Sequence, residues 1–403
     1  MACVSSIGRF LLKNGRQEIG VLKPFDVVIS GGGPAGAWAA ARLATGGAKV
    51  ALIDGSHPRE KPCGGGVTGR ALALLGGSVQ GLADGVPIAS ASFAYQGRLQ
   101  TMPLADDGQP LRLAVVSRRI FDAQLLARAE RAGATVLRTR VTDLARASDG
   151  WAVSTRDGAV HARWIIGADG PGSLVRRRVS VPFERADLSI AAGYYVHGAT
   201  SRQIDIAFEE DSAGYLWSFP RPDHLAVGAC AQADVSSTAD LLRLSAQWID
   251  RNVRTGTRER YSWPIPSLRA ATLERERPCG DGWLLAGDAA GLVDPVTREG
   301  IFFALMSAEH AALSLLEAGD ASRAYSTRVR DTIYSELILA ARLKARFFRP
   351  QFMGLLLSAL GRSSRIRAIM SDLVAGEQPY HTLRRRLLST LELRLMLELF
   401  GMK

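Results

Sequence analysis

Three glycines carry the first chemistry legible in this chain. Gly31, Gly33 and Gly36 stand in GxGxxG order within SGGGPAG, with Pro34 and Ala35 before the third. Glycine at 31 permits a tight turn, at 33 it lets a pyrophosphate approach the backbone, and at 36 it lets a helix pack closely on a strand. The helix that follows would turn unpaired N–H groups and its positive dipole end toward the phosphates. Asp54 closes the next apolar run and is placed to accept hydrogen bonds from a ribose. The combination reads as a dinucleotide site, and it suits NAD and FAD equally.

The elements that must hold these residues are those of a Rossmann-type α/β fold. Residues 27–29 form an apolar strand, a small-residue helix follows the glycines, and residues 50–53 form a second strand. Beyond Asp54, SHPREKPCGGGVTG combines two prolines with three adjacent glycines, a loop that admits close backbone approach. Strands are expected at 89–93, 99–102 and 111–116. A helix at 119–132 carries Phe121, Leu125, Leu126 and Ala129 at helical spacing and stops at Gly133. A strand meander at 135–139, 151–155 and 159–166 leads back to the core. From 183 to 267 the pattern is that of an antiparallel sheet, interrupted by a helix at 239–250. Residues 282–286 form a buried strand entering GDAAGLVDPVTREGI, and the chain is mostly helical beyond 321.

At 403 residues, 47% hydrophobic and 22% charged, the composition is that of a globular protein with a large core. The four cysteines show no metal-ligand spacing, so no metal site is expected, and a reducing cytoplasm is the default location. No apolar run reaches the length of a membrane span. Residues 1–24 read as a disordered or loosely docked extension, because they lack the apolar core of a cleaved targeting peptide. The net charge of +11 comes with no nucleic-acid motif. More than half of it lies in residues 331–403, with 12 Lys and Arg against 6 Asp and Glu. Leucine-rich stretches there flank Arg384, Arg385 and Arg386. They read as helices capping the substrate layer with a solvated basic face, or as a peripheral contact for anionic lipid.

Further motifs follow in order. PREKPCGGG sets Arg59, Lys61, Cys63, Gly64 and Gly65 in an RxKxCGG pattern, and SRRIFDAQL sets Arg118 ahead of Phe121 and Asp122. GADGPGSLVRR centres on Asp169 and Gly170. GDAAGLVDPVTREGI holds Gly287, Asp288, Pro295, Gly300 and Ile301. Finally, GYLWSFP puts Tyr215, Trp217 and Phe219 at alternate positions, on one face of a strand. With GGGPAG, these motifs make the chain resemble the geranylgeranyl reductase family, part of the p-hydroxybenzoate hydroxylase-like class of FAD enzymes, from Phe25 onward.

The resemblance implies a discontinuous FAD-binding domain (25–85, 112–180 and 275–330) and an antiparallel-sheet substrate domain (86–111 and 181–274). A C-terminal helical region (331–403) completes the chain. FAD becomes the dinucleotide, with Asp54 on the adenosine ribose and Val141 near the adenine. Arg59, Lys61 and Cys63 to Gly65 would lie along the flavin ring. Arg118, or Arg119 beside it, would contact FAD through its fork of donors. Asp169, Gly170 and Gly287 belong to the two later flavin fingerprints, and Asp288 would meet the ribityl hydroxyls. Gly300 and Ile301 would open a helix facing the flavin N1–C2 edge, where its dipole stabilises negative charge.

The implied activity is reduction of isolated C=C bonds in a prenyl, geranylgeranyl-type chain by hydride from reduced flavin. Cys63 reads either as a small residue beside the ring or as a thiol that relays a proton, and Tyr215 is a second catalytic candidate. Tyr215, Trp217 and Phe219 read either as a buried aromatic face or as the wall of an apolar substrate cavity, with Pro295 added to that site. No second GxGxxG follows a strand, so the electron donor would be transiently bound NADPH or a partner such as reduced ferredoxin. Some residues depart from related patterns. Gly291 stands where ring hydroxylases carry histidine, and Phe219 where flavin halogenases carry isoleucine. Arg298 stands where the reductases often have glycine. The competing expectations are a monooxygenase (hydroxylase or epoxidase) or halogenase-like enzyme of a natural-product pathway, and a non-catalytic lipid-binding flavoprotein.

Overall fold

The apolar run Phe25–Ser30 becomes the middle of a parallel sheet because residues on both of its faces are buried. It pairs with Val50–Ile53 on one side and Gly158–Gly167 on the other. Thr135–Leu137 and Trp283–Leu285 extend the sheet in parallel, and Cys279–Gly280 closes one edge antiparallel. Val141–Ala147 and Gly150–Thr155 form the antiparallel meander attached to Gly158–Gly167. This computed structural model describes residues 24–79, 82, 84–104, 112–209, 214–390 and 392–401, so the reading of residues 1–23 lies outside the described residues.

The helix Pro34–Thr45 lies between Arg118–Arg131 and Ile301–Leu316 on one face of that sheet. Its buried positions are mostly alanine, which lets it sit close to its neighbours. Two glycines make the approach possible. Gly31 has φ +106°, and a Cβ there would strike the Ala168 carbonyl. A Cβ at Gly36 would run into the carbonyl oxygen of Gly31.

A second, seven-stranded sheet runs in the order Thr257–Pro266, Leu188–His197, His224–Gln232, Tyr215–Pro220, Gln203–Ala207, Ser90–Tyr95, Arg98–Pro103. Only the Gln203–Ala207/Ser90–Tyr95 pairing is parallel. The strand Thr257–Pro266 was not singled out from sequence, because its first half is charged and exposed and masks the alternation. The helix Thr238–Asn252 covers one face of this sheet; Tyr195, Trp217 and Tyr261 cluster on the other. A small sheet of Gly66–Thr68, Leu113–Val116 and Gly85–Pro87 stands beside the two larger ones.

The C-terminal helices Ser335–Phe347, Pro350–Arg362, Ser364–Val374 and Tyr380–Leu388 share a core with Phe93 and Met102 of the second sheet. In Tyr380–Leu388 the residues Tyr380, Leu383 and Leu387 are buried while Arg384 and Arg385 face out, an amphipathic helix on a protein core. Among the described residues no helix is long and apolar enough to cross a membrane.

The Gly36 contact generates a test. Gly36→Ala is expected to destabilise the fold by about 1–3 kcal/mol, the usual cost of overpacking. Gly172→Ala, where a Cβ meets nothing within 4 Å, serves as the control. Equal denaturant midpoints for the two variants would contradict the packing role.

Candidate active site

The turn after Phe25–Ser30 leads straight into the helix Pro34–Thr45, whose N-cap, Gly33, makes no side-chain capping bond. The first N–H groups of a helix lack intrahelical partners, so this end is open to an acceptor. A Cβ at Gly33 would meet only the His57 ring, at 3.6 Å, which leaves the backbone approachable. Asp54 holds the turn in shape. Its Oδ2 accepts from Gly32 N (2.6 Å) and lies 2.8 Å from His57 Nδ1; its Oδ1 accepts from Ser56 N (2.5 Å) and His57 N (2.9 Å). Burial opposes its charge, but the His57 ring and these N–H groups outweigh it and hold the carboxyl well below the usual carboxylate range.

A second helix, Ile301–Leu316, also starts without a side-chain cap, at Gly300. Pro34, Gly300 and Ile301 all line one cavity, so both open helix ends meet the same space. Lys61 and Asp288 line it too, joined by a 2.9 Å ion pair. The loop Cys63 to Gly66 and the guanidinium of Arg118 form another wall, and Tyr215, Trp217 and Phe219 form the wall from the second sheet.

These features fit FAD. Two N–H-rich, positively polarised helix ends suit a pyrophosphate and an electron-rich ring edge. At Gly170, φ +80°, a Cβ would meet nothing within 4 Å, which leaves room beside the second fingerprint. In agreement, the FAD binding domain model matches residues 24–325. The chain belongs to this family of FAD-dependent oxidoreductases. Among its relatives is a digeranylgeranylglycerophospholipid reductase of Methanothrix thermoacetophila, 30% identical over 347 residues, covering 80% of this chain and 88% of that protein. A menaquinone reductase of Mycolicibacterium smegmatis is 29% identical over 385 residues, covering 87% and 92%. The fold is shared with a geranylgeranyl bacteriochlorophyll reductase-like protein of Thermoplasma acidophilum, with a TM-score of 0.76, 21% identity and coverage of 92% and 100%.

Within this flavoprotein, several motif residues have structural partners that the sequence did not disclose. The Arg118 side chain is 3% exposed and Asp122 is fully buried. Arg118 Nε and Nη2 donate to Asp122 at 2.9 and 2.8 Å, while Nη1 lies 3.6 Å from Cys63 Sγ. Gly64 and Gly66 are small because Phe219 packs on them: a Cβ would meet its ring at 2.7 and 3.3 Å. Gly65, φ +82°, is bounded by the Val116 carbonyl and Arg221. Asp169 caps the helix Leu174–Val179, accepting from Ser173 Oγ (2.5 Å) and Leu174 N (2.8 Å), and burial raises its carboxyl. Gly287 packs against Ala35 and Ala304. Arg59 stacks over Trp263 at 4.6 Å and is not among the lining residues. Val141 is buried at a strand start, also away from the cavity wall.

Pro295 is buried and is not among the residues that line the cavity, whereas its neighbours Val293, Val296 and Thr297 are. The tight turn held by Asp294, which accepts from Val296 N and Thr297 N, directs those neighbours inward. Tyr215 lines the cavity with its ring, while its hydroxyl donates to Thr297 O at 2.5 Å. Burial raises that hydroxyl well above the usual phenol range.

Sequence reasoning missed Arg221, fully buried in FPRPDHL. It donates from Nη2 to Cys63 O at 2.6 Å, pairs with Glu60, and burial pulls it down to about 10. Its only sequence signal is a charged residue directly after a buried strand. The apolar far wall was missed as well: Phe208, Phe347, Met370 and Leu373 converge from three elements distant in sequence.

The Arg118–Asp122 pair yields a direct expectation. Arg118→Ala removes the two-bond partner of a fully buried carboxylate, leaving it only the His57 ring at 3.6 Å, and is expected to destabilise by about 3–5 kcal/mol. The double variant Arg118→Met/Asp122→Leu is expected to be more stable than the single. Additive losses in denaturant melts would contradict a coupled buried pair.

Proposed function

We propose that this flavoprotein saturates isolated C=C bonds of a prenyl chain. The observation that carries the proposal is the wall facing the two open helix ends: Tyr215, Trp217 and Phe219 on one strand, continued by Phe208, Phe347, Met370 and Leu373. A wall of this length and apolarity suits a hydrocarbon chain. The named relatives that reduce isoprenoid lipids or quinones support the same reading.

An isolated alkene offers no carbonyl for polarisation, so reduction needs a hydride at one carbon, a proton at the other, and a dry, closely fitting site. FAD, once reduced, supplies the hydride. The chain's own residues supply the rest. Trp217 and Phe219 exclude water and give the chain an apolar wall to lie along. Cys63 Sγ, 3.6 Å from Arg118 Nη1 and 4.0 Å from Arg221 Nη2, is the proton donor favoured here, because two guanidiniums stand ready to balance the sulfur once its proton has left. Tyr215 is the poorer donor, since its proton is held by Thr297 O. The electrons arrive from NADPH or a reduced ferredoxin, and the exposed Arg384 and Arg385 offer a peripheral contact for anionic membrane or an acidic donor protein.

The test is anaerobic turnover of reduced holoenzyme with a panel of prenyl substrates, read by mass spectrometry. Gains in steps of two hydrogens are expected; a product carrying one added oxygen, formed only in air, would make the protein a monooxygenase. Cys63→Ala is expected to lower kcat by about a hundred-fold, the usual share of a general acid, and Tyr215→Phe by only a few-fold. Equal losses would remove Cys63 as the donor.

A further inference from the structure

The flavin cavity has a neighbour. A second cavity, of about 540 Å³, lies against the helices Ile301–Leu316, Ser335–Phe347 and Tyr380–Leu388. Asp294, Asp331, Glu336 and His381 line it, and because Asp331, Ser335 and His381 are exposed it opens to solvent. A space of this size and polarity suits several waters. Among the described residues only Glu299 and Leu373 line both cavities, and of the two only Glu299 can carry a proton.

Glu299 stands directly before the open helix end at Gly300, and its two oxygens are held from different sides. Oε1 accepts from Thr68 Oγ1 at 2.9 Å, and Thr68 lines the flavin cavity. Oε2 accepts from Arg70 Nη2, and Arg70 lines the second cavity, fixed over the Phe302 ring at 3.9 Å. The backbone is held as well, since Glu299 O accepts from Asp294 N at 2.9 Å. Across the second cavity, Tyr380 OH donates to Asp294 Oδ2 at 2.8 Å, and Glu336 pairs with His381. The Glu299 side chain is 12% exposed. Burial raises its carboxyl above the usual range against the pull of Arg70 and Thr68, with Asp294 adding to the rise. Both forms are therefore accommodated: burial favours the neutral acid, and a guanidinium and a hydroxyl await the carboxylate.

Saturating one C=C consumes a hydride and a proton, and walls that keep the flavin cavity dry also bar bulk water from replacing that proton. We propose that Glu299 is the proton inlet of the flavin cavity, taking a proton from water in the second cavity and releasing it on the flavin side. The inference rests on the prenyl reading above. One O–H bond of the carboxyl breaks toward the flavin cavity and one forms from the solvent side. Glu299 is thus unchanged after each turnover, one solvent proton has replaced the one that went to carbon, and the two electrons have come with the hydride. Thr68 and Arg70 are positioning residues that hold the carboxylate while its proton is away.

The test uses FAD-loaded wild type, Glu299→Gln and Glu299→Asp, in two arms. The first is infrared spectroscopy without substrate. A protonated-carboxyl band is expected that is lost in Glu299→Gln, displaced in Glu299→Asp, and shifted within seconds of transfer into D2O. No such band at any pH where the protein is folded, or one that D2O leaves unmoved, would overturn the inlet. The second arm compares the first anaerobic reoxidation of reduced flavin by geranylgeranyl compounds with steady-state turnover under excess dithionite. In Glu299→Gln the first turnover is expected to keep nearly its wild-type rate, since the donor starts with its proton, while kcat falls at least about ten-fold. Wild-type kcat is expected to fall as pH rises through the range of Glu299, because the inlet works from its protonated form, and this limb is lost in Glu299→Gln. Equal losses in both phases, or no loss in either, would overturn the inlet and leave prenyl reduction standing. If glutamine costs the protein its flavin, Glu299→Asp decides: its kcat limb is expected to move with its own carboxyl, and an unmoved limb would overturn the inlet. A wild type whose flavin none of these alkenes reoxidises would reject the prenyl reading, and the infrared arm alone would then decide for or against the inlet.

Discussion

The site depends on two helix ends that the chain itself leaves without caps. At Gly33 and at Gly300 no side chain accepts from the first N–H groups, and both ends open on one cavity. Unsatisfied N–H groups are costly away from water, so an electron-rich partner is what makes the arrangement stable. The parallel sheet fixes where those ends point: Pro34–Thr45 follows one of its central strands, and Ile301–Leu316 packs alongside. Gly36 sets the distance, since any side chain there would push the helix off the turn at Gly31.

Around this anchor the chain assembles a cavity with contrasting walls. On the cofactor side lie polar and charged groups already tied to one another, Lys61 to Asp288 and Arg118 to Asp122. The opposite side is aromatic and aliphatic, drawn from the second sheet and from the C-terminal helices. Those helices therefore complete the site as well as cap the sheet. Tyr215 ties the two halves together, its ring facing the cavity and its hydroxyl held by Thr297 of the loop that leads to Gly300.

The α/β order, the glycine turn and the long helix after GDAAGLVDPVTREGI were legible because local sequence dictates them: glycine where φ is positive, alternation in strands, apolar spacing in helices. The partners of Arg118, Gly64 and Asp169 were not. A Cβ at Gly64 would meet Phe219, which comes from the other sheet, and no local pattern reveals that neighbour. Both oxygens of Asp169 are engaged at the start of the next helix, a tie that only the folded chain reveals. Arg221 is hard to find from sequence because its one local mark, a charge directly after a buried strand, does not reveal that residues far away in sequence bury its guanidinium. Pro295 shows the limit of a motif as a guide: Val296 and Thr297 line the cavity while Pro295 beside them is buried, and only the fold decides which residues of the motif meet the cavity.

The most direct measurement is the fate of the reduced flavin when oxygen is absent. Holoenzyme reduced with dithionite, freed of excess reductant and mixed anaerobically with a prenyl alkene, should regain its oxidised flavin absorbance as the alkene is saturated. A flavin that stays reduced with every alkene, and reoxidises only when oxygen is admitted, would contradict prenyl reduction.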